Sequence, residues 1–195
     1  SFKEVEVREK DAALSISVRQ HTSALRGYAY FNSLFFARHK RQLLRPVYYR
    51  LLAVAAIFAL SVVFLFLNRP AAVKLGQNMT VLLPSFVYIM YFLTVADKAC
   101  RAMFYNCDKD MLHYSFYRRP DTILENFRVR LMYVSLYDAA IAGALCLSAV
   151  IFCLLCGGSI FTVNMLLFCL AILLLSVLFT VHHLCLYYIF QPYSE

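Results

Sequence analysis

Apolar runs set the plan of this chain. Residues 47–68 are interrupted only by Arg50, residues 79–96 carry no charge, residues 131–156 carry only Asp138, and residues 159–190 carry none. Each run can cover the ~20 residues with which an α-helix crosses a ~30 Å hydrocarbon core. The apolar and polar alternation of a transmembrane β-barrel is absent. The pattern therefore predicts an all-α, polytopic membrane protein with four transmembrane helices. Small residues spaced four apart, Ala55 with Ala59, Ala139 with Gly143 and Ala140 with Ala144, suit close helix crossings. Pro84 is expected to kink the second span.

The polar stretches divide the rest. Residues 1–46 form a juxtamembrane segment in which Tyr28, Phe31, Leu34 and Phe35 recur at helical spacing ahead of Arg38, Lys40 and Arg41. This predicts an amphipathic helix on the membrane surface, with Pro46 turning the chain into the bilayer. Residues 47–190 form the four-span domain, including a charged loop at 97–130, and residues 191–195 are a short tail. Within the loop, a helical extension from Asp97 to Met111 is followed by the breaker Arg118-Arg119-Pro120. Thr122 and Glu125 then have capping-box spacing for a new helix. Helix, break and capped helix would make an elbow outside the membrane, with charges open to a partner.

Charge gives orientation. Nine of the 19 Lys and Arg residues precede Val47, seven lie between Lys98 and Arg130, two lie between Arg69 and Asn78, and none follows Arg130. By the positive-inside rule both termini and the elbow are cytoplasmic, in a multi-pass protein of the cell membrane. The net charge of +8 then reflects topology and anionic lipid, and no nucleic-acid partner is implied. A hydrophobic content of 62% and a mean hydropathy of +0.66 agree with residence in lipid. Five of the seven Cys, at 146, 153, 156, 169 and 185, fall in the third and fourth runs and read as small packing residues. The Cys153 and Cys156 pair has CxxC spacing but no second pair or His beside it, so no metal site is assigned. Asn78-Met79-Thr80 spells a glycosylation sequon, discounted because it abuts the membrane.

Polar groups inside the runs raise a chemical alternative. Asp138 lies about 10 Å along the third span from Leu131 by helical rise, or at the boundary if the span begins at Ala139. His182 and His183 lie at a comparable depth on the fourth span. In an antiparallel hairpin these three could form an intramembrane polar pair that relays protons. Cys185 is too close to the histidines on the same helix to assemble a nucleophilic triad with them.

The segments "YFNSLFFARHKRQLLRP" and "NCDKDMLHYSFYRRPDTILENFRVRL" carry a resemblance. Together they resemble the permease subunits of bacterial ABC exporters found in Firmicutes, through Asn106, Cys107, Asp108, Phe116, Tyr117, Arg118 and Pro120. The resemblance implies an ATP-driven exporter in which a separate ATP-binding subunit docks on the loop from 108 to 130. Asp108, Arg118, Arg119, Asp121 and Glu125 would be the docking residues. Such permeases usually have more than four spans, which implies that this chain is one part of a permease, paired with a second half or with a copy of itself. The residues independently require the ATPase to be another chain, because no glycine opens a G-x-x-x-x-G-K-[ST] phosphate loop. No catalytic residue and no cofactor is assigned. The alternatives are a membrane accessory or assembly protein without chemistry, and an intramembrane enzyme or proton relay using Asp138 with His182 or His183.

Overall fold

The computed structural model describes residues 27–77, 79–157 and 163–190, and among them every regular element is helical. The residues before Gly27, the sequon residue Asn78 and the tail 191–195 lie outside the described residues. Helices α1 (Gly27–Arg38) and α2 (Lys40–Leu67) are joined at His39. There the hydrogen bonds from His39 N–H to Phe35 O and from Leu43 N–H to His39 O carry the helical ladder across the junction. Next come α3 (Arg69–Gln77), a 3₁₀ turn, α4 (Leu83–Leu93) and α5 (Ala96–Met103). A π-turn over Phe104–Asp108 and a further 3₁₀ turn at Ser115–Arg118 lead into α6 (Pro120–Leu155), and α7 (Val163–Phe190) closes the chain.

Three of these helices, α2, α6 and α7, are long and apolar enough to cross a membrane. They mark the chain as a helical membrane protein. Their outer faces carry exposed Leu52, Leu60, Phe66, Leu136, Leu166 and Leu178, as expected where lipid replaces water as solvent. Because lipid tails are as apolar as leucine, burial of apolar surface gives little drive for these helices to associate; close packing and polar contacts have to do it. Packing is supplied by a cluster containing Val54, Met90, Ile141, Leu145, Phe168 and Ile172, and by a second containing Phe36, Leu43, Ala99, Met103, Val134 and Leu184.

Hydrogen bonds fix the helix directions. Tyr28 meets Thr122 and Asn32 meets Asn126, both at a separation of 94 residues, so α1 and the start of α6 run parallel. Asp138 meets Thr180 and Arg130 meets Tyr188, so α6 and α7 run antiparallel. The connecting segment descends alongside α6: Ala72 O accepts from Cys156 Sγ, Val95 N–H reaches Asp138, and Asp108 reaches Arg130.

Four local expectations change. Pro46 lies inside α2, which continues through it without a turn. Pro84 sits in the first turn of α4, where a missing N–H costs nothing, and so starts that helix where a kink was expected. Pro120 likewise opens α6, with Arg119 as the capping position, and Thr122 donates instead to Phe116 O, so the capping box is not formed. Helix α1 turns Asn32, Ser33, Phe35 and Phe36 inward against the bundle, while Leu34 of the expected apolar stripe is exposed. The inward face is selected by polar partners on α6, which a hydrophobic count does not weigh.

Candidate functional site

The buried face of α6 explains the centre of the molecule. Thr122, Asn126, Arg130, Val134 and Asp138 are spaced four apart, which places them in one row along a helix, and all five are buried. Four of the five are polar. A buried polar side chain must find partners in the protein: Thr122 and Asn126 find them on α1, Arg130 on α1, α7 and the loop after α5, and Asp138 on α7 and the segment between α4 and α5.

Arg130 is 0% exposed and Asp108 3%. Their contact is bidentate: Nη1 donates to Oδ2 at 2.5 Å and Nη2 to Oδ1 at 2.7 Å. The remaining guanidinium N–H groups donate to Asn32 Oδ1 at 2.9 Å from Nε, to the Tyr188 hydroxyl at 3.0 Å from Nη1, and to the Tyr117 hydroxyl at 3.0 Å from Nη2. All five donors of the guanidinium are therefore matched. Asp108 accepts further bonds from the Tyr117 hydroxyl at 2.7 Å and from the Tyr187 hydroxyl. Asn32 Nδ2 donates to Asn126 Oδ1 at 2.6 Å, closing the network on α1. Burial alone would raise the Asp108 carboxyl, but the Arg130 contact and the two tyrosine hydroxyls outweigh it and hold the group below its ordinary value. Beside it, burial and the neighbouring carboxylate push the Cys107 thiol up to about 12. The network ties α1, the loop after α5, α6 and α7 at one point.

A second polar centre lies two turns further along α6. The chain breaks at Thr94 and Val95, between α4 and α5, which strands the carbonyls ending one helix and the N–H groups opening the next. Asp138 serves the opening: its Oδ1 accepts from Val95 N–H at 2.7 Å, and its Oδ2 accepts from Thr94 at 2.6 Å and from Thr180 at 2.7 Å. A carboxylate at a helix N-terminus also meets the positive end of the helix dipole. Arg50 serves the ending, donating from Nε to Leu93 O at 3.1 Å and from Nη2 to Thr94 O at 3.3 Å. The break is thus capped from both sides by charged residues of neighbouring helices.

The sequence-predicted residues distribute unevenly over this geometry. Arg118, Arg119, Asp121 and Glu125 are exposed around the start of α6, together with Tyr114, Phe116, Ile123 and Leu124. Asp108, grouped with them as a docking residue, is turned inward and consumed by Arg130. Asp138 is buried at 1% exposure in the middle of a continuous α6. Its partners are Thr94, Val95 and Thr180, and the pairing with a histidine is not made. His183 donates from Nδ1 to Phe179 O of its own helix at 2.8 Å and lies against the Tyr91 ring, and His182 is exposed. No group of three metal-ligating side chains occurs among the described residues.

Sequence reasoning passed over Arg130, Asn32, Asn126, Thr94, Thr180 and the two tyrosines at 187 and 188, and named Tyr117 only within the resemblance. A signal for the α6 partners was available in the four-residue spacing from Thr122 to Asp138. The tyrosines had none, because aromatic residues at a span end are common for other reasons. Comparison with protein-family models, with characterised proteins and with solved structures returns no match for this chain.

Proposed function

We propose that this chain is a non-enzymatic membrane subunit of a transport system, a permease-type component that receives motion from a separate ATP-hydrolysing partner at its elbow. The observation that carries the reading is the continuity of α6. This single helix of 36 residues, about 54 Å at 1.5 Å per residue, starts in the exposed elbow and runs the length of the bundle. Ten residues in, the Arg130 and Asp108 pair clamps the elbow to α1 and α7. A force applied at Arg118, Arg119, Asp121 or Glu125 would be passed along a rigid rod, with no hinge in between.

The capped break supports the transport reading from a second side. Discontinuous helices in a membrane bundle are tolerated where protein satisfies the freed backbone, and many transporters build their pathways around them. On this reading α3, α4 and α5 together make the second of four crossings, the elbow is cytoplasmic, and both chain ends lie on its side. The proton-relay alternative loses ground because the Asp138 oxygens are already engaged by an N–H group and two hydroxyls.

The test is co-purification in mild detergent from the native host, with an ATPase assay on the complex. A stoichiometric ATP-binding chain that is lost from Arg118→Glu/Arg119→Glu, while the variant keeps its melting temperature, supports the assignment. Recovery of the same ATPase complex with the reversed charges would refute the docking role. Recovery of this chain alone would move the reading to an accessory protein.

A further inference from the structure

A crevice of about 350 Å³ opens between the start of α2 and the segment that begins with α5, lined in part by Arg45, Tyr49, Lys98, Arg101, Tyr105 and Asn106. Three cations converge there from two helices. Asp97 lies 3.9 Å from Arg101, and the described residues lining the crevice include these three cations and no carboxylate. The Arg45 guanidinium lies 5.9 Å from the centre of the Tyr49 ring, which holds it at the crevice wall.

The position relative to the apolar surface is as telling as the charge. Arg45 immediately precedes the apolar run of α2, and Lys98 and Arg101 immediately follow the apolar run that ends at Ala96. The outer faces of α2 and α4, the helices that adjoin these cations in the chain, expose Tyr48, Leu52, Tyr88 and Phe92.

We infer that this crevice binds the phosphate-bearing headgroup of an anionic lipid, whose acyl chains lie along the exposed faces of α2 and α4. Arg45, Lys98 and Arg101 contact the phosphate, and the tyrosine hydroxyls and the Asn106 amide can reach headgroup oxygens. Basic pockets between helices at a leaflet surface favour such headgroups, with each cation worth about fivefold in affinity. A free phosphate ion shares the headgroup chemistry but leaves the apolar faces unused, so the lipid is the better-matched ligand. The inference does not depend on the elbow docking a partner.

The experiment is native mass spectrometry of the full chain in an uncharged detergent, titrated with dioctanoyl phosphatidylglycerol, dioctanoyl phosphatidylcholine or inorganic phosphate. The expected result is retention of the anionic lipid at concentrations at least about tenfold below those needed for the zwitterionic one. Lys98→Gln/Arg101→Gln should weaken it by about 25-fold. Lys109→Gln/Arg128→Gln, which removes equal charge from exposed positions elsewhere, should leave it unchanged. If the double variant misfolds, Arg45→Gln carries the test alone, with an expected loss of about fivefold. Equal retention by wild type and the crevice variants would overturn the site. An equal loss in the control would reduce the effect to general charge and overturn it as well. Displacement of the lipid by equimolar inorganic phosphate would show a soluble anion to be the ligand and overturn the lipid assignment.

Discussion

Replacing Arg130 by Met should be among the most damaging single changes in this protein. The substitution keeps an unbranched apolar stem but removes all five guanidinium donors. Asp108 stays 3% exposed with only the Tyr117 and Tyr187 hydroxyls to stabilise its charge. Breaking one side of a buried ion pair typically costs about 3–5 kcal/mol, whereas replacing both sides by apolar groups is often near neutral. The double variant Asp108→Leu/Arg130→Met should therefore be more stable than Arg130→Met alone by about 1 kcal/mol or more. Reversible unfolding in mixed micelles, followed by far-UV circular dichroism because the chain has no Trp, measures both. The sign with pH follows from the lowered Asp108 value: the contribution of the pair is fully present above about pH 4, the ordinary Asp range. It is lost as pH falls through the lower value of the folded protein. The stability difference between wild type and the double variant should thus be flat from about pH 5 to 9 and change only in the acid limb. A cost for Arg130→Met below about 1 kcal/mol, or strictly additive singles and double, would refute the clamp.

Other expectations are quicker to check. Asp138→Ala should cost about 1–2 kcal/mol through loss of the α5 cap, while Asp138→Asn, which can still accept from Val95 N–H, should cost less; the same unfolding assay ranks them. At Gly76 an added Cβ would meet Cys156 Cβ at 3.2 Å and Sγ at 3.3 Å. Gly76→Leu should therefore destabilise by about 1–3 kcal/mol through overpacking, and Gly76→Leu/Cys156→Ala should recover part of that. With the other cysteines replaced, Cys107 should alkylate at least about tenfold more slowly than an ordinary thiol at pH 8, given a thiol pushed up to about 12. A rate equal to that of a free thiol would show the loop to be open.

The long elements were legible because their signal is redundant. Many apolar residues in succession define α2, α6 and α7, and no single substitution hides them. The second apolar run was legible as a run but not as two helices with a break, since nothing in residues 79–96 distinguishes Thr94 from any other span threonine. The break depends on Arg50 and Asp138, which lie 44 positions before and after it. At the elbow, the exposed charges were found and the buried one was misplaced, because a charge in a loop reads as solvated until its partner is known. Arg130 sits in a helix 22 positions away, and no local pattern joins it to Asp108.

The capped break also bears on how the protein enters the membrane. Helix α4 has 11 residues, about 16 Å of rise, roughly half of a ~30 Å hydrocarbon core, so it cannot commit to the bilayer as an independent unit. Its ending can be satisfied by Arg50 as soon as α2 is in place, but the opening of α5 waits for Asp138, which is synthesised later. On the proposed four-span reading, integration of this segment should therefore be delayed until α6, with the Asp138 carboxylate, has been made.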